Sequence, residues 1–395
     1  MVTGNPQSMR ALNKNLVFNL IRESKIMTRP EICTATGLKP PSVKHIIEAL
    51  MKENLIECLG KGESGANGGP RPELYSINNS ICYFIGFDAN IRRIAGVIMD
   101  LGGNIISSQF TYVSGSDTDI LMMIMKDMTR DMLQAAKISI DQIAEISLGF
   151  AASVNKNKTR VAASPFEILY SFDVKRFREY LDCGNQTKIT LENDANAVAM
   201  GSYCLAENLK NKENIICVII RAGVGLGVII NGQVYRGHEG LTGNITKSEN
   251  AYGETKIIER INELVDSGSA EVDTLKRKLI DRPDLHHTIS QNEQVKQITH
   301  DCFQKIGEFA SELVLVLNPD AVVFASELID IEPGLLKSAI EGCEKGIREF
   351  YDGLFNDRSD ITYHHTRMDI YSIAFYSAHY VMRAYSPLDE KNQTK

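Results

Sequence analysis

The sequence predicts an α/β chain, with a small helical unit at the N-terminus and a larger two-lobed body behind it. Three observations predict this. A length of 395 residues corresponds to two or three domains and can bury a sizeable core. The pattern changes near residue 78: short amphipathic segments ending in a Gly-rich stretch, GKGESGANGGPRP (60–72), give way to an apolar run, ICYFIGF (81–87), and then to alternating strand-like and helix-like segments. Charge changes at the same place. Residues 1–80 carry ten basic against seven acidic residues, a net of +3, while the whole chain carries 43 against 50, so the remainder stands at −10. A total of −7 would ordinarily count against nucleic acid as a partner, but the division leaves one small basic unit free to meet it.

Composition narrows the class further. Hydrophobic residues at 43% and charged residues at 24% match a globular average and exclude disordered, collagen-like and coiled-coil chains. No apolar run approaches the ~18 uncharged residues of a membrane span, and MVTGNPQSMR lacks the apolar core of a signal peptide, so a cytoplasmic protein is expected. The eight cysteines are scattered without a CxxC and read as reduced thiols. The expected divisions are 1–78, a first lobe over 79–192, a second over 193–385 whose last helix can return to the first lobe, and a polar tail at 386–395.

In the first unit, Leu12, Leu16, Val17, Leu20 and Ile21 fall on one face of a first helix. Thr28 with Glu31 three residues on forms a capping box, and Gly37 ends a short second helix. Pro40 and Pro41 open a third helix, where proline is tolerated. Val43, Ile46, Ile47, Leu50 and Met51 form its buried face, leaving Ser42, Lys44, His45 and Glu48 outward. LIECLGKGES and PELYSIN can pair as a wing. Two helices joined by a short turn, the second with small and basic residues near its start, form the helix-turn-helix arrangement. A three-helix interaction module without DNA has the same spacing. The modest charge means that DNA affinity would require two copies on a palindromic site.

In the body, strands are expected at 83–88, 95–100, 104–112, 144–151, 188–192, 215–221, 225–230 and 321–325. Helices are expected at 118–136, 174–182 and 194–207, across most of 253–317, and onward to about 384. Three adjacent strands followed by β/α alternation imply a mixed sheet with an antiparallel edge.

MRALNKNLVFNLIRE, TRPEICTATGLKPPSVKHIIEALMKENLI and GGPRPELYSIN together resemble the winged helix of the ROK family of repressors and sugar kinases, and the rest of the chain continues the resemblance. It implies a winged helix-turn-helix followed by a two-lobed, actin-like and ribonuclease-H-like sugar-kinase body. Ser42, Lys44 and His45 would lie at base edges or phosphates of the major groove. Arg71 would enter the adjacent minor groove, or remain a solvated linker residue; Pro70 replaces the first arginine of the family's Gly-Arg-Arg-Pro.

Kinases of this family cradle phosphate on a turn of the form Asp-x-Gly-Gly-Thr after the first strand. Here Asp88 is followed by Ala89, Asn90, Ile91 and Arg92, which do not suit a phosphate-hugging turn. The second and third family turns correspond to Ala152-Ser153 and Ala325-Ser326, again without glycine. Three independent losses argue against ATP use, and no cofactor is expected. RAGVGLGVIINGQVYRG (221–237) keeps its glycines and reads as a strand-turn-strand, with Asn231-Gly232 at the turn, retained for folding.

LENDANAVAMG (191–201) matches the family's Glu-Asn-Asp-Ala-Asn element. The resemblance implies that Asn193 binds a sugar hydroxyl and that Asp194 occupies the place of the kinases' general base. Asp194 can equally cap the helix 195–207, and both roles can hold at once. GHEGLTGNITK (237–247) departs from the family: Asn244 stands where the sugar-binding glutamate is expected and Lys247 where the histidine shared by sugar and zinc is expected. No cysteine lies between Cys217 and Cys302, so the zinc loop is absent and no metal is expected. Lys247 is either a solvated lysine of a drifted loop or a point charge for an anionic effector such as a sugar phosphate or uronate.

The sequence therefore points to a transcriptional regulator, of repressor type, for carbohydrate-metabolism genes. Its partners would be palindromic operator DNA, a sugar-type effector and a second copy of itself or more, and it would have no catalytic residues. Two rivals remain: a sugar kinase carrying an extra domain, favoured by Asp194, and a repressor controlled by a partner protein, favoured by the altered 237–247 stretch.

Overall fold

The computed structural model of the chain describes residues 6–63, 71–90, 93–113, 117–164, 166–243, 245, 253–266, 288–289, 291–351 and 360–388. The N-terminal unit contains α1 (Pro6–Ser24), β1 (Met27–Thr28), α2 (Arg29–Thr36), α3 (Pro40–Lys52), β2 (Ile56–Lys61) and β3 (Glu73–Ile77), with sheet order β1-β3-β2. Local chemistry sets these boundaries. The Thr28 backbone N–H donates to Glu31 at 2.7 Å while Glu31 N–H donates to the Thr28 hydroxyl, the reciprocal pair of a capping box. Gly37 closes α2 in the left-handed conformation, φ 68°, and Pro40 and Pro41 occupy the first turn of α3. The antiparallel wing β2–β3 forms as expected.

The helix faces differ in part from the sequence pattern. Val17, Phe18 and Ile21 are the buried residues of α1, while Leu12 and Leu16 are 64% and 48% exposed. In α3, Val43, Ile47 and Leu50 are buried and Met51 is exposed. The buried stripe of α1 runs through Val17, Phe18 and Ile21, and Leu12 and Leu16 flank it on the solvent side, while Lys14 and Asn15 still meet Glu53 and Ser386.

The first body sheet has the order β10-β7-β4-β5-β6, from β4 (Tyr83–Ala89), β5 (Arg93–Asp100), β6 (Ile105–Tyr112), β7 (Ile143–Phe150) and β10 (Lys188–Asn193). The β4–β5–β6 meander is antiparallel, and β7 and β10 run parallel to β4, the mixed sheet with an antiparallel edge. Helices α4 (Thr118–Ala136) and α5 (Val174–Leu181) cover one face around Ile85, Phe87, Met125 and Phe150. A short pair, β8 (Ser153–Val154) with β9 (Val161–Ala163), follows β7.

The second sheet has the order β13-β12-β11-β14-β15, from β11 (Ile215–Ile220), β12 (Val224–Ile230), β13 (Gln233–Val234), β14 (Ala321–Ala325) and β15 (Thr362–Thr366). Asn231 and Gly232, φ 53° and 71°, form the two-residue turn between β12 and β13. β15, parallel to β14, is a strand among the helices expected after 325: Thr-Tyr-His-His-Thr is a half-buried edge strand whose polar residues hide the alternation. Outside this sheet pack α7 (Glu254–Asp266), α8 (Glu293–Leu317), α9 (Glu327–Ile331) and α10 (Gly334–Tyr351).

Two further helices, α6 (Asp194–Leu205) and α11 (Ser372–Ala384), fill the space between the sheets. Their close approach depends on missing side chains. A Cβ on Gly86 of β4 would lie 1.9 Å from the Ala374 carbonyl oxygen of α11, and one on Gly227 of β12 would lie 2.4 Å from that of Ala195 in α6. α11 lies against β4, β5 and β7 of the first sheet. One core then runs from Val17, Phe18 and Ile21 through Phe84 and Val97 to Ala378, Val381 and Met382, so the N-terminal unit and the body share packing. Among the described residues, no helix is long and apolar enough to cross a membrane.

Candidate functional site

The outward face of α3 carries Ser42, Lys44, His45 and Glu48, all exposed. Val43, Ile47 and Leu50 hold the opposite face in the core, which fixes the direction the polar residues point. Lys44 Nζ and His45 Nδ1 lie 3.8 and 3.5 Å from Glu48 carboxylate oxygens, loose contacts that solvent weakens and that leave both donors available. Arg71 is exposed beside the wing, where Gly62 N–H donates to the Pro72 carbonyl at 2.8 Å and closes the base of the hairpin loop. Ser42, Lys44 and His45 therefore share the exposed face of α3, and Arg71 lies in the β2–β3 loop.

The cleft between the two sheets holds a different constellation. Arg221, at the tip of the β11–β12 hairpin, donates to Asp88 Oδ2 at 2.9 Å and Oδ1 at 3.3 Å, and to Asp194 Oδ2 at 3.2 Å. Asp88 lies one residue from the end of β4 in the first sheet and Arg221 follows β11 of the second, so the guanidinium ties the lobes together. All three side chains are nearly removed from solvent, at 13% for Arg221, 1% for Asp88 and 10% for Asp194. Burial alone would lower the Arg221 pKa, but Asp88 and Asp194 hold it above its ordinary value. Burial pushes the Asp194 carboxyl above the usual carboxylate range; Arg221 opposes this shift and Asp88 adds to it. A second tie joins the same lobes, Arg93 of β5 to Glu327 of α9 at 3.0 Å. Opposite Arg93, the β4–β5 turn is tight: Asn90 N–H donates to the Arg93 carbonyl at 3.0 Å and Arg93 N–H returns to the Asn90 side chain. Ile91 and Arg92 lie outside the described residues.

Next to Asp194, the buried Glu192 accepts from Lys158 and Arg236, each at 2.6 Å. Burial would raise Glu192, but the two cations hold it below the usual carboxylate range. The Tyr380 hydroxyl of α11 takes a further bond from each, at 3.4 Å from Lys158 and 3.1 Å from Arg236.

Of the residues expected to meet an effector, Asn193 and Asp194 lie at the start of α6, and Asn244 and Lys247 lie outside the described residues. Asn193 is the N-cap: its Oδ1 accepts from Asn196 N–H at 3.1 Å and its amide donates to the Ala152 carbonyl at 3.1 Å. Asn193 is thus the N-cap, while Asp194 contributes to the same helix end, its Oδ1 accepting from Ala195 N–H at 2.9 Å as its Oδ2 meets Arg221. The loop after Arg236 folds back toward both lobes, with Gly240 against the Val154 carbonyl and the Gly243 carbonyl accepting from Leu226 N–H at 3.2 Å. Ala152 and Ser153 are buried behind β7, and Ser326 caps α9 through its hydroxyl. No group of three or more His, Cys, Asp or Glu side chains among the described residues is placed to hold a metal. Among the histidines, His238 is exposed beside Glu239, His364 bonds Asn208, and His286 and His287 lie outside the described residues.

Sequence reasoning did not single out Arg221, Glu192, Lys158, Arg236 or Tyr380. Arg221 did leave a signal: it is the one charged residue between Glu213 and Arg236, at the centre of an otherwise apolar hairpin. A lone charge in such a place requires a buried partner.

Comparison with known proteins places this geometry. A crystal structure of a ROK family transcriptional regulator, a homologue of the E. coli MLC protein, superposes with a TM-score of 0.70 over 95% of this chain and 96% of that one, at 15% identity. A ROK family glucokinase from Streptomyces griseus, in complex with glucose and AMPPNP, superposes with a TM-score of 0.62 over 75% of this chain and 98% of that one, also at 15% identity. The body therefore has the sugar-kinase fold, and the regulator's fold extends over nearly the whole chain. In sequence, the xylose repressor of Bacillus spizizenii is 27% identical over 84% of this chain and 86% of its own length. The xylose repressor of Lactiplantibacillus pentosus is 26% identical over 83% and 84%. The ROK family profile matches residues 84–349, about two thirds of the chain, from β4 through the cleft to α10. The chain belongs to the ROK family.

Proposed function

We propose that this chain is a carbohydrate-responsive transcriptional repressor. The winged helix binds operator DNA, the body binds a sugar or sugar derivative between its lobes, and no phosphoryl transfer takes place. The observation that carries the reading is the Arg221 pair with Asp194. A general base must accept a proton from a substrate hydroxyl within hydrogen-bond reach, and here that carboxylate is held by a guanidinium in a buried ion pair. The same guanidinium occupies the end of Asp88, the aspartate that remains of the family's first phosphate turn. The xylose-repressor relatives support a pentose or related sugar as effector.

On this reading Ser42, Lys44, His45 and Arg71 face DNA, and Asn193, Asp194, Asn244 and Lys247 face the effector. The reader comprises 1–78, the lobes 79–192 and 193–385, with 386–395 as a polar tail. Two copies, joined through the acidic body, present two α3 helices about one helical turn apart on a palindrome.

The deciding experiment pairs a coupled kinase assay, with ATP and a hexose and pentose panel, with a thermal-shift screen of neutral sugars, sugar phosphates and uronates. The expected result is no saturable turnover together with stabilisation by one sugar class. At 100 times its dissociation constant a ligand adds about 2.7 kcal/mol. Turnover abolished by Asp194→Asn would establish the kinase instead. Absence of any shift would favour control by a protein partner. If the hit is anionic, Lys247→Ala should weaken it far more than a neutral analogue.

A further inference from the structure

Within about one turn of α11, two sets of contacts face different parts of the molecule. Tyr380 Oη accepts from Lys158 Nζ and Arg236 Nη2 at 3.4 and 3.1 Å, and both cations also bind Glu192 Oε2. Lys158 belongs to the loop between β8 and β9 that follows the first sheet, whereas Arg236 leaves β13 of the second. Both also sit over the Tyr380 ring, with Lys158 Nζ 4.6 Å and Arg236 Cζ 5.9 Å from its centroid. At the end of the same helix, the carbonyls of Met382, Arg383 and Tyr385 accept from the Arg22 guanidinium of α1 at 3.4, 3.2 and 2.9 Å. A cation there adds a donor to the last carbonyls of the helix, of which Met382 also accepts from Tyr385 N–H at 3.2 Å, and lies at the negative end of the helix dipole. Ser386 Oγ reaches Asn15 at 2.9 Å, and Arg383 pairs with Glu23 at 3.6 Å. α1 in turn packs on α2 and α3.

We infer that Tyr380 and Arg22 are positioning residues that transmit the lobe arrangement to the reader: Tyr380 registers the separation of Lys158 and Arg236, and Arg22 carries the resulting shift of α11 into α1. The inference rests on the repressor reading and adds the residues that connect its two halves. A ligand shifts a conformational equilibrium only by binding one arrangement better than the other. Opening or closing the cleft changes the distance between a first-lobe loop and a second-lobe loop, and Tyr380 straddles both. Glu192 and Tyr380 can keep both cations only at one separation; at another, the cluster settles on Lys158 or on Arg236, two discrete arrangements rather than a continuum. Because the α11 backbone lies against Gly86, its available movement is a slide along the sheet, which α1 must follow through Arg22.

The test is a double-mutant cycle on the full chain, using a DNA fragment that the wild-type protein enriches from random sequence. Tyr380→Phe keeps the ring and removes only the hydroxyl; Arg22→Gln removes the cation from the helix end. Tyr380→Phe is expected to change DNA affinity at least fivefold in the wild-type background and less than twofold beside Arg22→Gln, with Arg22→Lys restoring part of the effect. Lys158→Met, remote from the reader, should repeat the pattern. Hydrogen exchange of residues 6–24 is read in the same four proteins and should change with Tyr380→Phe only when Arg22 is present. Equal fold-changes in both backgrounds, or no change in affinity and exchange with Tyr380→Phe, overturn the inference. A wild-type chain that enriches no DNA overturns the repressor reading, and the exchange data alone then decide whether the coupling exists.

Discussion

Arg221→Ala leaves two buried carboxylates without their shared cation. In the native cleft one nitrogen, Nη1, donates to Asp88 Oδ1 at 3.3 Å and to Asp194 Oδ2 at 3.2 Å, so these oxygens face each other across a single atom. Two like charges about 5 Å apart, at an effective dielectric of about 20, repel by about 3 kcal/mol. Removing one partner of a buried ion pair costs about 3–5 kcal/mol in measured cases. A loss of about 3–5 kcal/mol is therefore expected, read as a fall in the urea midpoint of the full chain. The sign with pH follows from Asp194, whose folded pKa already lies above its ordinary value. A raised carboxyl binds its proton more readily in the folded state, so its repulsion is present at neutral pH and fades as pH falls through that raised value. The Arg221→Ala deficit should therefore shrink on acidification. Asp194→Asn in the same background should recover about 2–3 kcal/mol, whereas alone it should cost under about 1 kcal/mol, because Asp88 keeps both its bonds to Arg221. A loss below about 1 kcal/mol for Arg221→Ala, or no recovery in the double variant, would refute the claim that this guanidinium bolts the cleft.

Other expectations concern the reader and the helix that supports it. Lys44→Ala and Arg71→Ala should each weaken operator binding across sequences and reduce the log–log salt slope by about 0.9 for each phosphate no longer neutralised, measured by anisotropy from 50 to 200 mM salt; unchanged binding in both would mean that a different surface meets DNA. Thr28→Ala removes the acceptor of the capping box and should cost about 1 kcal/mol in thermal unfolding, with α2 amides exchanging faster. Burial pushes the His379 imidazole down to about 4 from 6.5, and Arg383 and Arg22 add to the shift. The folded state then takes up that proton less readily than the unfolded chain, so stability should fall by roughly 3 kcal/mol between pH 6.5 and 4. His379→Gln should flatten that fall, and an unaltered profile would assign acid sensitivity elsewhere.

Local signals were legible in the sequence because each is complete within a few residues. The Thr28–Glu31 box, the left-handed Gly37 and the Asn231-Gly232 turn all appear where neighbouring residue types require them. The sheets were legible wherever apolar runs such as IICVII mark strands buried on both faces. β15 escaped because an edge strand with Thr and His has no such run. The exposure of Leu12 and Leu16 escaped because aliphatic residues on both sides of Val17 and Phe18 do not say which of them the core takes. The site was harder still. Arg221 meets a carboxylate 133 residues upstream, and Glu192 meets a lysine 34 residues before it and an arginine 44 after it. Such pairings exist only after both sheets are assembled, and residue type alone reports at most that a buried charge must have a partner.

The core that runs from Phe18 to Met382 bears on how such proteins can be recombined. A chimera cut near residue 78 would divide a core that the N-terminal unit shares with Phe84, Val97, Ala378 and Met382, and would leave Arg22 without its carbonyls. The transplantable unit is discontinuous: residues 6–77 together with the far end of the chain, 372–388. Grafts that carry both pieces should inherit the reader's stability, and grafts that carry only the first should yield a reader that folds poorly on its new host.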